Sequence, residues 1–430
     1  MYCYTNTCRS FFYVVALTFL IPLQVFKFYI FVNLSAYLLR VTKNYNEKNM
    51  KKLRLILLLL TIGLTNVMAQ DNNGLMRFEE QRNPRYRGII TIPDVNGYKV
   101  LKCDFHMHTV FSDGTVWPNI RLQEVWNEGL DAFSITDHIE GHPHSKEVIP
   151  DNNRPHELIA GDAQKNNIIL IKGAEITRLT PPGHFNALFT GDVSDYITDR
   201  STYEKDWEAV SKASDQGAFI FWNHPGWKLN IEGSYEWIEF VDKLYKNKML
   251  HGIEVFNGFG FHMKALDWCI DKGLTVMGSS DSHNLVNETY DTDQNYIHRT
   301  MTLVFAKDRS AASIREALEA GRTVAWASKY LAGKEEHLQN LFKACVKLTP
   351  GHYSEETKNG KSLNYYEITN RSDLYFELEL REGKANKNIV LYPRSSQIIS
   401  AEGGQASLTY EVTTAYVRSD KHLMVELGLN

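Results

Sequence analysis

The stretch VLKCDFHMHTVFSDG, residues 100–114, decides the reading of the fold. Residues 100–105 are largely apolar and short enough for a buried strand, and His106 and His108 follow them directly. Side chains at i and i+2 of an extended chain point to the same side, so the two imidazoles face a common point. A strand that runs into metal-type ligands suits a parallel α/β architecture, in which the C-terminal strand ends converge on one rim.

Outward from this stretch the pattern repeats. Residues 130–135 run into Asp137 and His138, residues 168–172 into Glu175, residues 218–222 into His224, and residues 274–277 into Asp281 and His283; His184 leads residues 185–189. Further strands are expected at 252–256, 300–305 and 323–326. Helices are expected at 118–128, 204–216, 262–272 and 310–320, closed by Gly129, Gly217, Gly273 and Gly321 at the position where a left-handed residue ends a helix. Repeated βα units of this kind predict an α/β fold with a mostly parallel sheet and outer helices, and about 230 residues favours a barrel over an open sheet.

The texture changes after Lys334. In Phe376 to Leu380 apolar residues alternate with acids, and Leu408, Tyr410 and Val412 alternate with polar neighbours, which predicts antiparallel strands with one wet face and no helices. Residues 335–430 are read as a small β-sandwich with a structural or docking role, after a catalytic region at 97–334 and a linker at 70–96.

Residues 50–69 combine a basic start (Lys51, Lys52, Arg54), an apolar run and a small-residue site at Val67 to Ala69, the pattern of a secretory signal peptide. Residues 1–49 are then an upstream extension. The competing reading makes the apolar residues 11–39 a membrane anchor. Residues 1–69 hold eight Lys/Arg and one acid, so without them the totals of 47 basic and 51 acidic residues fall to 39 and 50, a net of −11. So acidic a chain opposes polyanions, and no nucleic-acid footprint is expected. Export to the periplasm or cell envelope is expected, with no membrane partner unless the apolar segment is retained; oligomeric state is open. Five scattered cysteines exclude a disulfide scaffold, and Cys103, Cys269 and Cys345 read as buried free thiols.

Twelve of the fifteen histidines lie between His106 and His298, mostly beside predicted strand ends. Imidazole plus carboxylate suits Zn²⁺, Mn²⁺ or Fe²⁺. Six imidazoles (His106, His108, His138, His184, His224, His283) and three carboxylates (Asp113, Glu175, Asp281) exceed the needs of one catalytic ion, so two or three divalent ions are expected.

In type and order the elements Asp104-x-His106-x-His108, Ser112-Asp113-Gly114, Thr136-Asp137-His138, Gly173-x-Glu175, Gly183-His184, Asn223-His224-Pro225 and Asp281-x-His283 resemble the polymerase and histidinol phosphatase (PHP) superfamily of metal-dependent phosphoesterases. The leader and C-terminal β-region are similar to its exported phosphodiesterase branch. The resemblance implies a distorted (β/α)7 barrel over about residues 97–327. It also implies a first ion at His106, His108, Glu175 and Asp281, a second at Glu175, His184 and His224, and a third at Asp113, His138 and His283.

Such a site predicts hydrolysis of a small phosphate ester by metal-bridging hydroxide, and the resemblance to the exported branch favours a diester over a monoester. Arg178 and Arg299 are candidates for binding phosphate oxygen, Asp137 for orienting a ligand or shuttling a proton, and His142 for protonating the leaving group. Two alternatives stand beside this reading: an amidohydrolase-type enzyme cleaving C–N or carboxylic ester bonds, and an exported, non-catalytic protein that binds metal or carbohydrate.

Overall fold

The structure is a computed structural model and describes residues 86–233, 235–291 and 298–429. The leader and anchor readings of residues 1–69 lie outside the described residues. Among the described residues, no helix is long and apolar enough to cross a membrane.

Twelve strands build the α/β region: β1 (Lys99–Asp104), β2 (Ala132–Phe133), β3 (Ile169–Leu170), β4 (Gly173–Ile176), β5 (Phe185–Leu188), β6 (Phe219–Trp222), β7 (Gly252–Asn257), β8 (Gly260–Phe261), β9 (Thr275–Ser279), β10 (Met301–Ala306), β11 (Thr323–Ala327) and β12 (Tyr330–Gly333). They fall into two sheets. In the first, β1, β2 and β3 are parallel, while β10, β11 and β12 extend the other edge of β1 in antiparallel steps. In the second, β6, β7 and β9 are parallel, but β4, β5 and β6 alternate in direction.

The expected mostly parallel sheet is therefore corrected, and among the described residues these strands form two separate ladders. Connection length explains two of the reversals. Only Ser328 and Lys329 separate β11 from β12, and no helix separates β4 from β5, so neither link has the length a parallel crossover requires. Apolar runs reveal a strand buried on both faces but not which way it runs.

At the end that carries the histidines, isolated bridges Met107–Ser282 and His138–Glu175 join the two sheets. Farther down, Gly278 donates its N–H to Thr302 Oγ1 at 3.0 Å, and that hydroxyl donates to the Gly278 carbonyl at 2.7 Å. A Cβ on Gly278 would lie 2.7 Å from the Met301 carbonyl oxygen, so this approach of β9 to β10 requires glycine.

The helices are α1 (Pro118–Asn127), α2 (Arg154–Lys165), α3 (Tyr203–Asp215), α4 (Glu239–Lys246), α5 (Met263–Lys272), α6 (Val286–Thr289), α7 (Ala311–Glu319) and α8 (Glu335–Cys345). The four expected helices end as read, with Gly129, Gly217, Gly273 and Gly321 at φ 85°, 75°, 70° and 65°. Ser310 caps α7 by accepting from Ser313 N.

Helix α8 corrects the reading of residues after Lys334 as strands alone. It buries Leu338, Leu341, Phe342 and Cys345, spaced i, i+3, i+4 and i+7, a helical stripe the strand-like texture beyond it obscured.

Beyond α8 lie β13 (Val346–Glu356), β14 (Ser362–Asn370), β15 (Phe376–Glu382), β16 (Asn388–Leu391), β17 (Ser396–Glu402), β18 (Ser407–Arg418) and β19 (Lys421–Gly428). β13, β14 and β17 form one antiparallel sheet; β15, β16, β18 and β19 form a second, and side chains of both share a core that includes Ile368, Ile399, Leu378 and Tyr410. β18 also pairs in parallel with β12 through Leu331–Ala415 and Ala332–Tyr416, so the second sheet continues the α/β sheet. Ser419 N and Oγ bond the Asp267 carboxylate at 3.0 and 2.6 Å, tying the β18–β19 turn to α5. Cys103, Cys269 and Cys345 are buried free thiols.

Candidate metal centre

The nine side chains read as ligands come together at the end of the strands where the two sheets are bridged. His106 and His108 continue β1, and Glu175 lies within β4, not after it, opposite His138. His224 follows β6 and Asp281 follows β9. Both adopt left-handed backbone, φ 26° and 52°, which is costly for residues with a Cβ. That cost falls at the two positions where the chain must leave a strand and return a donor toward β1.

Four groups of donor atoms lie within 4.8 Å of one another: His108, Asp113, His138 and His283; His106, His108 and Asp281; His106, Glu175 and His224; and His138, Glu175 and His184. The partition expected from the resemblance is redistributed. His108 belongs to two groups, and His224 and His184 meet Glu175 in separate groups.

Glu175 Oε2 is buried, 2.8 Å from His138 Nδ1 and 3.4 Å from both His106 Nε2 and His108 Nε2. Asp281 Oδ1 lies 3.2 and 3.0 Å from the same two Nε2 atoms. Yet neither oxygen receives a hydrogen bond of proper direction, although every separation would allow one. Nitrogen His106 Nε2 also faces His108 Nε2 at 3.1 Å. Donors bound at ~2.1 Å to a single ion sit roughly 3 to 3.4 Å apart, so these convergent spacings fit a shared coordination sphere.

The electrostatics agree with that fit. Burial pushes the His108 imidazole down to about 3, assisted by His138 and His283, which keeps it neutral. Burial opposes charge on His138 too, but Glu175 and Asp113 overcome it and raise that ring to about 10. His106 is likewise held well above its ordinary value, against burial, by Asp281, Glu254 and Glu175. Glu175 and Asp281 resist burial and stay well below the carboxylate range because imidazoles surround them. The field attracts cations, and protons and divalent ions compete for the same lone pairs.

A second layer fixes the rings. Glu254, within β7, accepts from His106 Nδ1 at 2.8 Å, His224 N at 2.9 Å and Asn257 Nδ2 at 2.8 Å. His283 Nδ1 donates to the Asp281 carbonyl at 2.8 Å, and Asn223 Nδ2 donates to Glu175 Oε1 at 2.8 Å. Asp137 accepts from Thr109 N, Thr109 Oγ1 and Ser112 Oγ, each at 2.6 Å, and Ser112 Oγ stands 3.3 Å from His108 Nδ1. Asp137 thus has both oxygens engaged and reaches His108 through Ser112. Glu254→Gln is expected to weaken metal binding about 10- to 100-fold with the fold retained, as read by competition with a chelator and by circular dichroism.

Both arginine readings are corrected. Arg178 is 1% exposed and pairs with Glu140 and Asp206 while donating to Thr198 Oγ1 and the Asp199 carbonyl. Arg299 is also 1% exposed, with Glu128 at 2.6 Å and Asp104 at 3.3 Å. Neither guanidinium lines a cavity beside the donor groups. His142 bonds the Phe111 carbonyl through Nδ1 at 2.8 Å and belongs to none of the four donor groups. Its nitrogen is engaged in holding the loop before Asp113.

A cleft of about 230 Å³ opens over the donors, lined by Asp113, His138, Glu175, His184, His224, Trp227, Asn257, Asp281 and His283. Of the aromatic residues near the ligand elements, Trp222 and Phe256 are core, and Phe261 packs against Tyr416. Trp227 and Phe259 are exposed, and Trp227 stands 5.4 Å from the His224 ring.

Residues 346–428 match the family DUF5001, an Ig-like domain. A two-domain protein from Bacteroides vulgatus containing a predicted PHP-like metal-dependent phosphoesterase is 40% identical over 81% of this chain and 100% of its own, with a TM-score of 0.75. A candidate metal-dependent phosphoesterase from Bifidobacterium adolescentis (17% identity, 42% of this chain, 87% of its own, TM-score 0.32) and an amidohydrolase from Chromobacterium violaceum (14%, 44%, 89%, 0.33) are too remote to carry an argument. No curated protein matches the sequence.

Proposed function

The chain belongs to the family of the PHP-like metal-dependent phosphoesterases, and from that premise we propose that it hydrolyses a small phosphate diester with two or three divalent ions, Mn²⁺, Zn²⁺ or Fe²⁺. The observation that carries this reading is the convergence of three imidazole nitrogens on Glu175 Oε2 without hydrogen-bond direction. We read the two bridged sheets as a distorted barrel that brings those donors to one rim.

Divalent ions held by His106, His108, Glu175, Asp281 and their neighbours would make water more acidic near neutral pH and offset charge on a bound phosphate ester. The chain's own residues prepare that chemistry. Glu254 and the Asp137–Ser112 pair orient His106 and His108, so their Nε2 atoms turn inward. Trp227 walls the cleft beside His184 and His224.

The preference for a diester is supported by charge. A monoester dianion carries one more negative charge than a diester, and Arg178 and Arg299 are committed to internal carboxylates. The leader-like pattern at residues 50–69 supports action outside the cytoplasm. Mn²⁺-loaded protein is expected to cleave bis(p-nitrophenyl) phosphate with higher kcat/KM than p-nitrophenyl phosphate. The reverse order would overturn the diester preference, and no turnover of either ester with any of the three metals would overturn the assignment.

A further inference from the structure

A second cavity of about 320 Å³ adjoins the metal cleft and shares Asn257, Asp281 and His283 with it. We propose that this cavity seats a flat organic group of the ester, and that Phe259 is the residue that selects it. The proposal rests on the phosphoesterase reading and adds the class of substrate: phosphate esters with an aromatic or comparably planar arm.

The chain builds the cavity wall with unusual firmness for a surface aromatic. Phe259 is 79% exposed and sits in the two-residue turn between β7 and β8, which pair through Asn257 and Gly260. Tight turns favour small or polar residues, and a phenyl ring there leaves most of its surface in solvent beyond its contact with Tyr290. Gly258 occupies the left-handed conformation, φ 53°, donates to the Ser279 carbonyl at 3.0 Å, and accepts from Thr300 Oγ1 at 2.6 Å. Phe261, on the far side of the turn, packs against Phe256 and Tyr416. The turn is anchored on both sides, so the ring is presented without ordering a loop on binding.

Tyr290, buried to 4% exposure, packs against Phe259 with ring centroids 4.9 Å apart and planes 43° apart, so the two rings form one aromatic wall whose exposed part is Phe259. Ser282, Asn284 and Thr289 line the same cavity and supply polar atoms for the edge of a planar group. Apolar faces with a few polar edge groups, beside a reactive centre, are the composition of a small-molecule subsite. Asn257 stands at the junction, donating to Glu254 Oε2 at 2.8 Å and lying 3.3 Å from Asp281 Oδ2, so an ester bridging the two spaces would place phosphorus on the metal side and its planar arm against Phe259.

The test is binding of phenylphosphonate and methylphosphonate to the full chain loaded with Mn²⁺, by titration calorimetry, in the wild type, Phe259→Ala and Phe259→Trp. The wild type is expected to prefer the phenyl probe, and the phenyl-to-methyl affinity ratio is expected to fall about tenfold in Phe259→Ala and to persist in Phe259→Trp. An unchanged ratio in Phe259→Ala, or loss of the ratio in Phe259→Trp, overturns the subsite while leaving the phosphoesterase reading in place. Failure of the wild type to bind either phosphonate strikes that reading itself and the subsite with it.

Discussion

Glu175→Gln is expected to lower kcat/KM for phosphate-ester hydrolysis by at least about a thousandfold, some 4 kcal/mol of transition-state stabilisation. The expectation comes from position. Glu175 is the carboxylate common to two of the four donor groups, and its Oε2 faces His106, His108 and His138 at once. Glutamine keeps the shape and an oxygen able to accept from Asn223 and His184, so the fold should survive. What it removes is the charge that holds cations between those rings. The same variant should therefore lose metal, measured by elemental analysis beside the rate. Full activity with full metal content would show that the carboxylate only braces the strands.

The second large effect falls on stability. Arg299→Ala is expected to cost about 3 to 5 kcal/mol, the usual penalty for leaving buried carboxylates without their partner. Arg299 bonds Glu128 through both Nε and Nη2, at 2.9 and 2.6 Å, and reaches Asp104 at 3.3 Å. Asp104 in turn accepts from Ser280 N at 3.1 Å and Ser280 Oγ at 2.6 Å, directly before Asp281. Removing the guanidinium should lower the urea midpoint and loosen the turn that carries Asp281. A variant of unchanged stability with a raised KM would instead restore Arg299 as a phosphate ligand.

The contrast between these two residues shows what the sequence carries. His106 and His108 are spaced two apart where β1 ends, and that local periodicity is enough to point the pair inward, whereas Asp281 reaches the same donors through a left-handed residue that periodicity does not describe. Arg299 and Arg178 have no such local sign. Their partners Glu128 and Glu140 are 171 and 38 residues away, so charge alone left their direction undetermined. Glu254 was missed as an orienting group for the same reason, its partner His106 being 148 residues distant.

At the level of fold, the glycine-closed helices were legible because a left-handed residue at a helix end is a local steric requirement. Strand direction and closure were not, because they depend on which edges meet. The pairing of β18 with β12 was equally hidden, since alternation in residues 407–418 identifies a half-buried strand without naming its neighbour.

The most direct test of the central claim is element-specific anomalous diffraction from crystals of metal-loaded protein. At least two peaks are predicted among the nine side chains, one of them about 2.0 to 2.3 Å from the Nε2 atoms of His106 and His108; density for a single ion elsewhere, or none among these residues at saturating metal, would contradict the account.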